Sequence, residues 1–185
     1  NHIIHTIRRN PDITALVHDN RVYGLTKGQA SPTSPMGYIS PTTPKGVASL
    51  PLNPIALAVS LDASFVAQAF AGDIEETKEI LKKAISHKGF SFVNIFQPCV
   101  TFNKINTYQW FKENTYYLGD DYDASDRKMA LEKAFETDKL PLGVIYVNNR
   151  KTFEESLAAY KNSDKPLYDR NILWDKLTKT FERFV

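Results

Sequence analysis

The segment HDNRVYGLTKGQASPTSPMG, residues 18–37, marks the change from strand to long loop in this chain. It leaves an apolar run, Ile13-Thr14-Ala15-Leu16-Val17, breaks at Asp19-Asn20 and continues as a loop rich in Gly, Lys, Ser, Thr and Pro. Oxygen-bearing side chains at the carboxyl end of a buried strand, followed by a long loop, are a common setting for a ligand site in an open α/β sheet. Between Ala30 and Pro54 the loop holds six of the ten prolines: Pro32, Pro35, Pro41, Pro44, Pro51 and Pro54. A connection this long is either functional or disordered. Prolines reduce the entropy lost when a loop orders, so a structured loop is expected.

Reading outward, residues 2–9 predict the end of a helix closed by Asn10-Pro11, and residues 12–18 a buried strand. Pro54 to Leu61 predicts a short apolar helix and Phe65 to Phe70 a strand. Asp73 is a good N-cap, with Glu76 three residues on. It opens a helix with Ile74, Thr77, Leu81, Ala84 and Ile85 on one face. Lys82, Lys83, His87 and Lys88 crowd the helix's negative end, and Gly89 terminates it. Phe90 to Phe96 predicts another strand and Thr107 to Asn114 a helix. Ser125 is expected to cap a helix to about Thr137, with Met129, Ala130, Ala134 and Phe135 as its apolar face. Leu142 to Val147 predicts a third strand. From Thr152 the chain reads as helix and polar tail, ending in an amphipathic segment with Leu173, Trp174, Leu177 and Phe181. Strands alternating with helices imply an α/β fold with a mainly parallel, doubly wound sheet. Residues 1–148 are expected to form the α/β domain, and residues 149–185 a helical tail that packs on it or on a partner.

At 185 residues and 42% hydrophobic, the chain can bury one substantial core. It has no apolar run of about 18 residues that would span a membrane. His, Arg and Asn interrupt the first ten residues, so no signal peptide is expected. The single Cys99 argues against a disulfide framework and fits a reducing, cytoplasmic setting. A net charge of +2 is too small to point to nucleic acid. Tyr108, Trp110, Phe111, Tyr116 and Tyr117 are not interleaved with basic residues, and are expected in the core or a subunit interface. Arg8, Arg9, Arg21, Lys27 and Lys45 face only Asp12 and Asp19 before residue 62. That balance suits an anionic ligand, or is a plain surface imbalance. His2, His5 and His18 have no further ligand cluster to make a zinc site, and are expected to be ordinary histidines.

By residue type alone, Asp19-Asn20 is an ordinary turn, Lys27 a solvated lysine and Cys99 a packing residue. The joint pattern is more specific. Ile4-His5, Arg8-Arg9-Asn10, Asp19-Asn20, Tyr23-Gly24-Leu25-Thr26-Lys27-Gly28-Gln29 and Ser31-Pro32-Thr33 follow one another in fixed spacing. This is similar to I-H-x-x-R-R-N and D-N-x-x-Y-G-L-T-K-G-Q-x-S-P-T in the beta subunit of the 2-oxoacid:ferredoxin oxidoreductases. Pro98-Cys99-Val100-Thr101-Phe102-Asn103 resembles that family's segment for the fourth iron–sulfur ligand. The resemblance is strong over residues 1–120 and looser beyond.

The resemblance implies the carboxyl-terminal portion of a thiamine-diphosphate (ThDP) binding fold. The implied activity is ThDP- and CoA-dependent oxidative decarboxylation of a 2-oxoacid, with electrons passed through a [4Fe-4S] cluster to ferredoxin. Asn20 and the Val22 carbonyl are implied as Mg2+ ligands. Asp19, Asn20, Tyr23, Gly24, Leu25, Thr26, Gly28 and Gln29 are implied to bind the cofactor. Lys27 is implied as a catalytic residue, facing the substrate with Gln29. Cys99 is implied as the cluster ligand, a [4Fe-4S] centre usually needing four thiolates. Pyruvate-specific relatives carry Asn at the position matching Leu25 and Gly at Lys27. That departure favours 2-oxoglutarate, whose distal carboxylate Lys27 could meet. The family's Gly-Asp-Gly and its other cluster cysteines are not in this sequence, and the chain opens on Asn1 within an apparent helix, so an upstream segment is expected. The implied partners are an alpha subunit in a heterodimer or dimer of heterodimers, ferredoxin, the 2-oxoacid and CoA, with no nucleic acid and no membrane. The 185-residue chain alone is expected neither to bind ThDP tightly nor to turn over. The alternative is a non-catalytic, truncated ThDP-fold module for subunit assembly or anion binding. A ThDP enzyme without redox output is disfavoured by the Cys99 string.

Overall fold

A computed structural model describes residues 2–161, 163, 165–171 and 173–184. The chain divides into two compact units, residues 1–153 and 154–185. In order, the first unit contains α1 (His2–Arg9), β1 (Thr14–Asp19), α2 (Pro54–Ser60), β2 (Phe65–Phe70), α3 (Ile74–Ser86), β3 (Ser91–Phe96), α4 (Tyr108–Asn114), β4 (Thr115–Tyr117), α5 (Arg127–Ala134) and β5 (Leu140–Val147). The short α6 (Phe153–Ser156) follows, and the second unit carries two 3-10 turns and α7 (Trp174–Phe181). Leu173, Trp174 and Phe181 are exposed on the predicted amphipathic segment. Among the described residues, no helix is long and apolar enough to cross a membrane.

The strands form one sheet in the order β1-β3-β2-β5-β4. β1, β3 and β2 run parallel, β5 pairs antiparallel with β2, and β4 is parallel to β5. The sheet is therefore mostly parallel, as the alternation of elements predicted. β2 and β3 are buried at every residue. That suits strands covered on both faces, which read as apolar runs rather than as alternating patterns. Val66 and Phe92 pack with Ile55, Ala58, Val59 and Ala130 on the side of α2 and α5. Ala67, Ala69, Val93 and Ile95 pack with Ile80 and Ala84 of α3 on the other. This is the doubly wound arrangement.

Local details depart from the sequence reading for identifiable reasons. β1 is an edge strand among the described residues, and Leu16, Val17 and His18 are exposed rather than buried. The buried face of α3 centres on Ile80 and Ala84, one turn apart, while Ile74 and Ile85 at the helix ends are exposed. Asp73 does cap α3, accepting from the Glu76 amide. The helix ends at Ser86, however, and Gly89 serves a different need. With φ +125 it lets the chain pass close to Asn10 and Ser64, where a Cβ would lie 2.8 Å from Ser64 Oγ. α5 is capped by Asp126, whose carboxylate accepts from the Lys128 and Met129 amides, because Ser125 is held by Asp123. It stops at Ala134, and Phe135, predicted on its apolar face, is exposed. Tyr116 and Tyr117 belong to β4, a strand of three residues too short to announce itself.

Asn10 ties the first unit together. It is fully buried at φ +56, a left-handed conformation that asparagine tolerates better than most residues. Its Nδ2 donates to the carbonyls of Arg150 and Lys151, and its Oδ1 accepts from Ser64 Oγ and the Phe90 amide. The end of α1, the starts of β2 and β3, and the segment after β5 thus meet on one side chain.

Candidate functional site

The chain leaves β1 at its carboxyl end and turns at once. Asp19 is buried, and its Oδ1 accepts from the Arg21 amide at 3.0 Å and Thr33 Oγ1 at 2.6 Å. Asn20 Oδ1 accepts from the Val22 amide at 3.0 Å. These two side chains close successive turns through their own backbone, as Asp and Asn favour. Arg21 takes φ +53 at the apex. Its guanidinium lies 5.5, 5.1 and 5.4 Å from the ring centroids of Phe96, Trp110 and Phe111. Burial lowers the Arg21 pKa, opposed by the charge of Asp19. Ser34 Oγ donates to the Arg21 carbonyl at 2.7 Å, so the Pro-rich loop is ordered onto the turn.

Tyr23 to Gln29 forms a compact loop. The Tyr23 amide donates to the Gln29 carbonyl at 2.8 Å, and the Gly28 amide to the Tyr23 carbonyl at 3.1 Å. Thr26 Oγ1 also donates to the Tyr23 carbonyl. Lys27 and Gly28 both have positive φ, at +62 and +94. Gly28 packs on Phe102, where a Cβ would lie 3.2 Å from Phe102 Cβ. The glycine thus serves close packing against the Cys99 segment, besides the ligand approach expected from its sequence.

A cavity of about 680 Å3 opens beside the turn. Asp19, Asn20, Val22, Tyr23, Gly24, Leu25 and Thr26 line its polar end, and Ile7, Val17, Leu57 and Phe92 part of its apolar wall. Lys27, Gly28 and Gln29 are not on its wall. Lys27 is exposed on the outer side of the loop. Of the expected cofactor residues, the structure therefore gathers six on the cavity together with Val22, and sets Lys27, Gly28 and Gln29 apart.

Cys99 follows β3 and approaches this loop from the other side. A Cβ on Gly24 would lie 3.9 Å from Cys99 Sγ and 4.0 Å from Asn20 Nδ2. The Phe102 amide donates to Cys99 Sγ at 3.5 Å. Burial pushes the Cys99 pKa up, but the amides of Phe102, Thr101 and Asn103, with Lys104, outweigh it and bring the thiol below its ordinary value. A thiol so placed favours the thiolate, the form that ligates metals. Asn103 is buried, and its Nδ2 donates to the Asn20 carbonyl at 3.1 Å. Tyr38 OH donates to the Phe102 carbonyl at 3.3 Å. Burial and the nearby Cys99 raise the Tyr38 pKa.

The donor chemistry can be tested against the implied groups. The Asn20 carboxamide oxygen keeps a second lone pair beyond the Val22 amide, and the Val22 peptide lies beside it on the cavity wall. Carboxamide and carbonyl oxygens are the hard ligands Mg2+ takes, usually with phosphate oxygens and water completing its octahedron. No group of three or more His, Cys, Asp or Glu able to hold a metal is found among the described residues. The turn therefore fits as part of a Mg2+ site, and Cys99 as one ligand of a cluster. Sequence reasoning passed over Ser34 and Tyr38, counted Arg21 only in the charge balance and quoted Thr33 only within a string. It quoted Asn103 only as part of a string. Asn103 acts on a residue 83 positions away, and its sole local signal was its place four residues after the cysteine.

Residues 1–95 match the thiamine pyrophosphate enzyme C-terminal TPP binding domain, and residues 99–162 match the family described as the carboxyl-terminal part of the pyruvate ferredoxin oxidoreductase beta chain. The chain is 41% identical over 170 residues to the 2-oxoacid:ferredoxin oxidoreductase subunit beta of Saccharolobus solfataricus, covering 85% of this chain and 56% of that one. It is 46% identical over 103 residues to the 2-oxoglutarate oxidoreductase subunit KorB of Mycobacterium tuberculosis, covering 56% of this chain and 28% of that one. A solved 2-oxoglutarate:ferredoxin oxidoreductase from Magnetococcus marinus, with 2-oxoglutarate, coenzyme A and succinyl-CoA bound, superposes with a TM-score of 0.84 at 40% identity. That match covers 87% of this chain and 56% of the other. The chain thus spans about half the length of such relatives.

Proposed function

This chain belongs to the family of 2-oxoacid:ferredoxin oxidoreductase beta subunits, and we propose that it supplies one wall of a ThDP–Mg2+ site and one ligand of a [4Fe-4S] cluster in such an enzyme. The observation that carries the reading is the meeting of two segments, the Asn20 turn and the Cys99 loop, across Gly24. On this reading the enzyme decarboxylates a 2-oxoacid oxidatively, passes the electrons to ferredoxin and the acyl group to CoA, and works with an alpha subunit. On this reading residues 1–148 form the cofactor domain and residues 149–185 a separate helical tail.

ThDP, when bound, supplies a carbanion nucleophile and an electron sink for decarboxylation. The chain's own residues bind and orient. Asn20 Oδ1 and the Val22 carbonyl would hold the Mg2+ that binds the diphosphate. Asp19, locked by Thr33 and the Arg21 amide, fixes the turn that presents them. Gly24, Leu25 and Thr26 shape the polar end of the cavity, while Ile7, Val17 and Phe92 keep water from its apolar wall. Cys99, whose thiol pKa is brought below its ordinary value, would supply one ligand of the cluster. Lys27 stands exposed on the loop, off the cavity wall; on this reading it meets the distal carboxylate of a longer 2-oxoacid, and 2-oxoglutarate is therefore favoured over pyruvate. The test uses the natural protein containing this chain, purified without oxygen. Asn20→Ala should lose Mg2+-dependent ThDP binding and Cys99→Ser should lose iron. Wild-type ThDP affinity in the first and wild-type iron in the second would refute the assignments.

A further inference from the structure

Two segments far apart in sequence carry the groups assigned above, and one side chain joins them. Asn103 donates its Nδ2 to the Asn20 carbonyl at 3.1 Å. Its own amide donates to the Cys99 carbonyl at 3.2 Å. Its Oδ1 accepts from the amides of Ile105 at 3.1 Å and Asn106 at 2.9 Å. Asn103 is 1% exposed, so its carboxamide is shielded from water. A buried carboxamide with donor and acceptor both engaged has few other orientations to adopt.

The surrounding contacts make the link stiff. A Cβ on Gly28 would lie within 3.5 Å of the Phe102 ring, Tyr38 OH donates to the Phe102 carbonyl, and a Cβ on Gly24 would lie 3.9 Å from Cys99 Sγ. The Asn20 turn is gripped from the other side by Arg21 among three rings, two of them on α4, just beyond the Cys99 loop. A displacement of the Asn20 carbonyl must therefore either break the Asn103 bond or move the Cys99 loop with it.

We propose that Asn103 is a positioning residue that fixes the Mg2+-holding turn and the cluster-ligating loop as one body, so that occupancy of one site orders the other. This rests on the functional reading above. It adds that ThDP–Mg2+ binding and the cluster environment are coupled, with the Asn103 Nδ2 bond to the Asn20 carbonyl as the direct link between the two segments.

The experiment uses the anaerobically purified natural protein and two variants, Asn103→Asp and Asn103→Ser. Both retain an oxygen for the Ile105 and Asn106 amides; aspartate has no donor for the Asn20 carbonyl, and the serine hydroxyl is one bond too short to reach it. Only the first adds charge, so effects common to both report the lost bond. The readouts are the ThDP dissociation constant at fixed Mg2+ and the electron paramagnetic resonance spectrum of the reduced cluster. ThDP binding at least tenfold weaker, with a changed cluster line shape at unchanged iron content, is expected in both variants. ThDP affinity within twofold of wild type, or an unchanged spectrum, in both would overturn the proposal. Hydrogen exchange on the wild type decides the matter even where neither variant folds. Adding ThDP and Mg2+ should slow exchange at residues 99–106 along with residues 20–24. Slowing confined to residues 20–24 would overturn the coupling. A wild-type protein that binds no ThDP or holds no iron would instead refute the functional reading, and the coupling with it.

Discussion

Replacing Asn10 with alanine should be among the most destabilising single changes in this chain that touch no ligand. Four hydrogen bonds leave with the side chain, at 3.3 and 3.1 Å to the Arg150 and Lys151 carbonyls and at 2.7 and 2.9 Å from Ser64 Oγ and the Phe90 amide. A net contribution of about 0.5–1.5 kcal/mol each gives roughly 2–6 kcal/mol, weighted upward because the abandoned Phe90 amide is buried. Alanine at φ +56 adds about 1 kcal/mol of backbone cost relative to glycine. A loss of about 3–5 kcal/mol is expected in urea denaturation of the purified protein. In a scan, that corresponds to a Tm lowered by roughly 10 °C. Asn10→Gly removes the same bonds without the backbone cost, and should be more stable than Asn10→Ala by about 1 kcal/mol. A loss below about 1 kcal/mol in Asn10→Ala would refute the view that this junction holds the sheet's leading edge together.

Three further outcomes are expected. Lys27→Ala in the complete enzyme should raise the KM for 2-oxoglutarate at least tenfold and erode its preference over pyruvate. Unchanged values in steady-state assays would end the assignment of Lys27 to the distal carboxylate. Arg21→Ala should cost about 1–2 kcal/mol in urea denaturation, since it abandons the stacking with Phe96, Trp110 and Phe111, and Arg21→Lys should recover part of it. His87 stacks on Phe65 at 5.4 Å and its Nε2 is buried, unbonded among the described residues. Burial holds its pKa below the ordinary 6.5, against an opposing pull from Asp12. The unfolded chain therefore takes up a proton first as pH falls. The contribution of neutral His87 is complete above about pH 6.5 and is lost as pH drops through the folded-state value. His87→Phe should flatten that part of a urea-midpoint profile, and an unaltered profile would contradict the assignment.

What could be read from the sequence was what local chemistry determines. Asp73 announced α3, the apolar runs at Phe65 and Phe90 announced the two central strands, and Asp19-Asn20 announced a turn that does carry the cavity's polar end. What could not be read depends on distant partners. The exposure of Leu16 and Val17 follows from the place of β1 at an edge, which its composition does not reveal. The antiparallel β5 and the three residues of β4 are defined by each other and by β2. Arg21 reads as a surface cation until Phe96, Trp110 and Phe111 are brought around it. Gly89 reads as a helix stop until Asn10 and Ser64 are seen to need the space where its Cβ would be.

The most direct test of the central claim is an anaerobic assay of the natural protein containing this chain, with its alpha partner, ThDP, Mg2+, CoA and 2-oxoglutarate, following ferredoxin reduction. Reduction that requires both 2-oxoglutarate and CoA, and that is lost in Asn20→Ala and in Cys99→Ser, is the predicted result. A preparation that carries ThDP and iron yet reduces no ferredoxin with any 2-oxoacid would contradict the account.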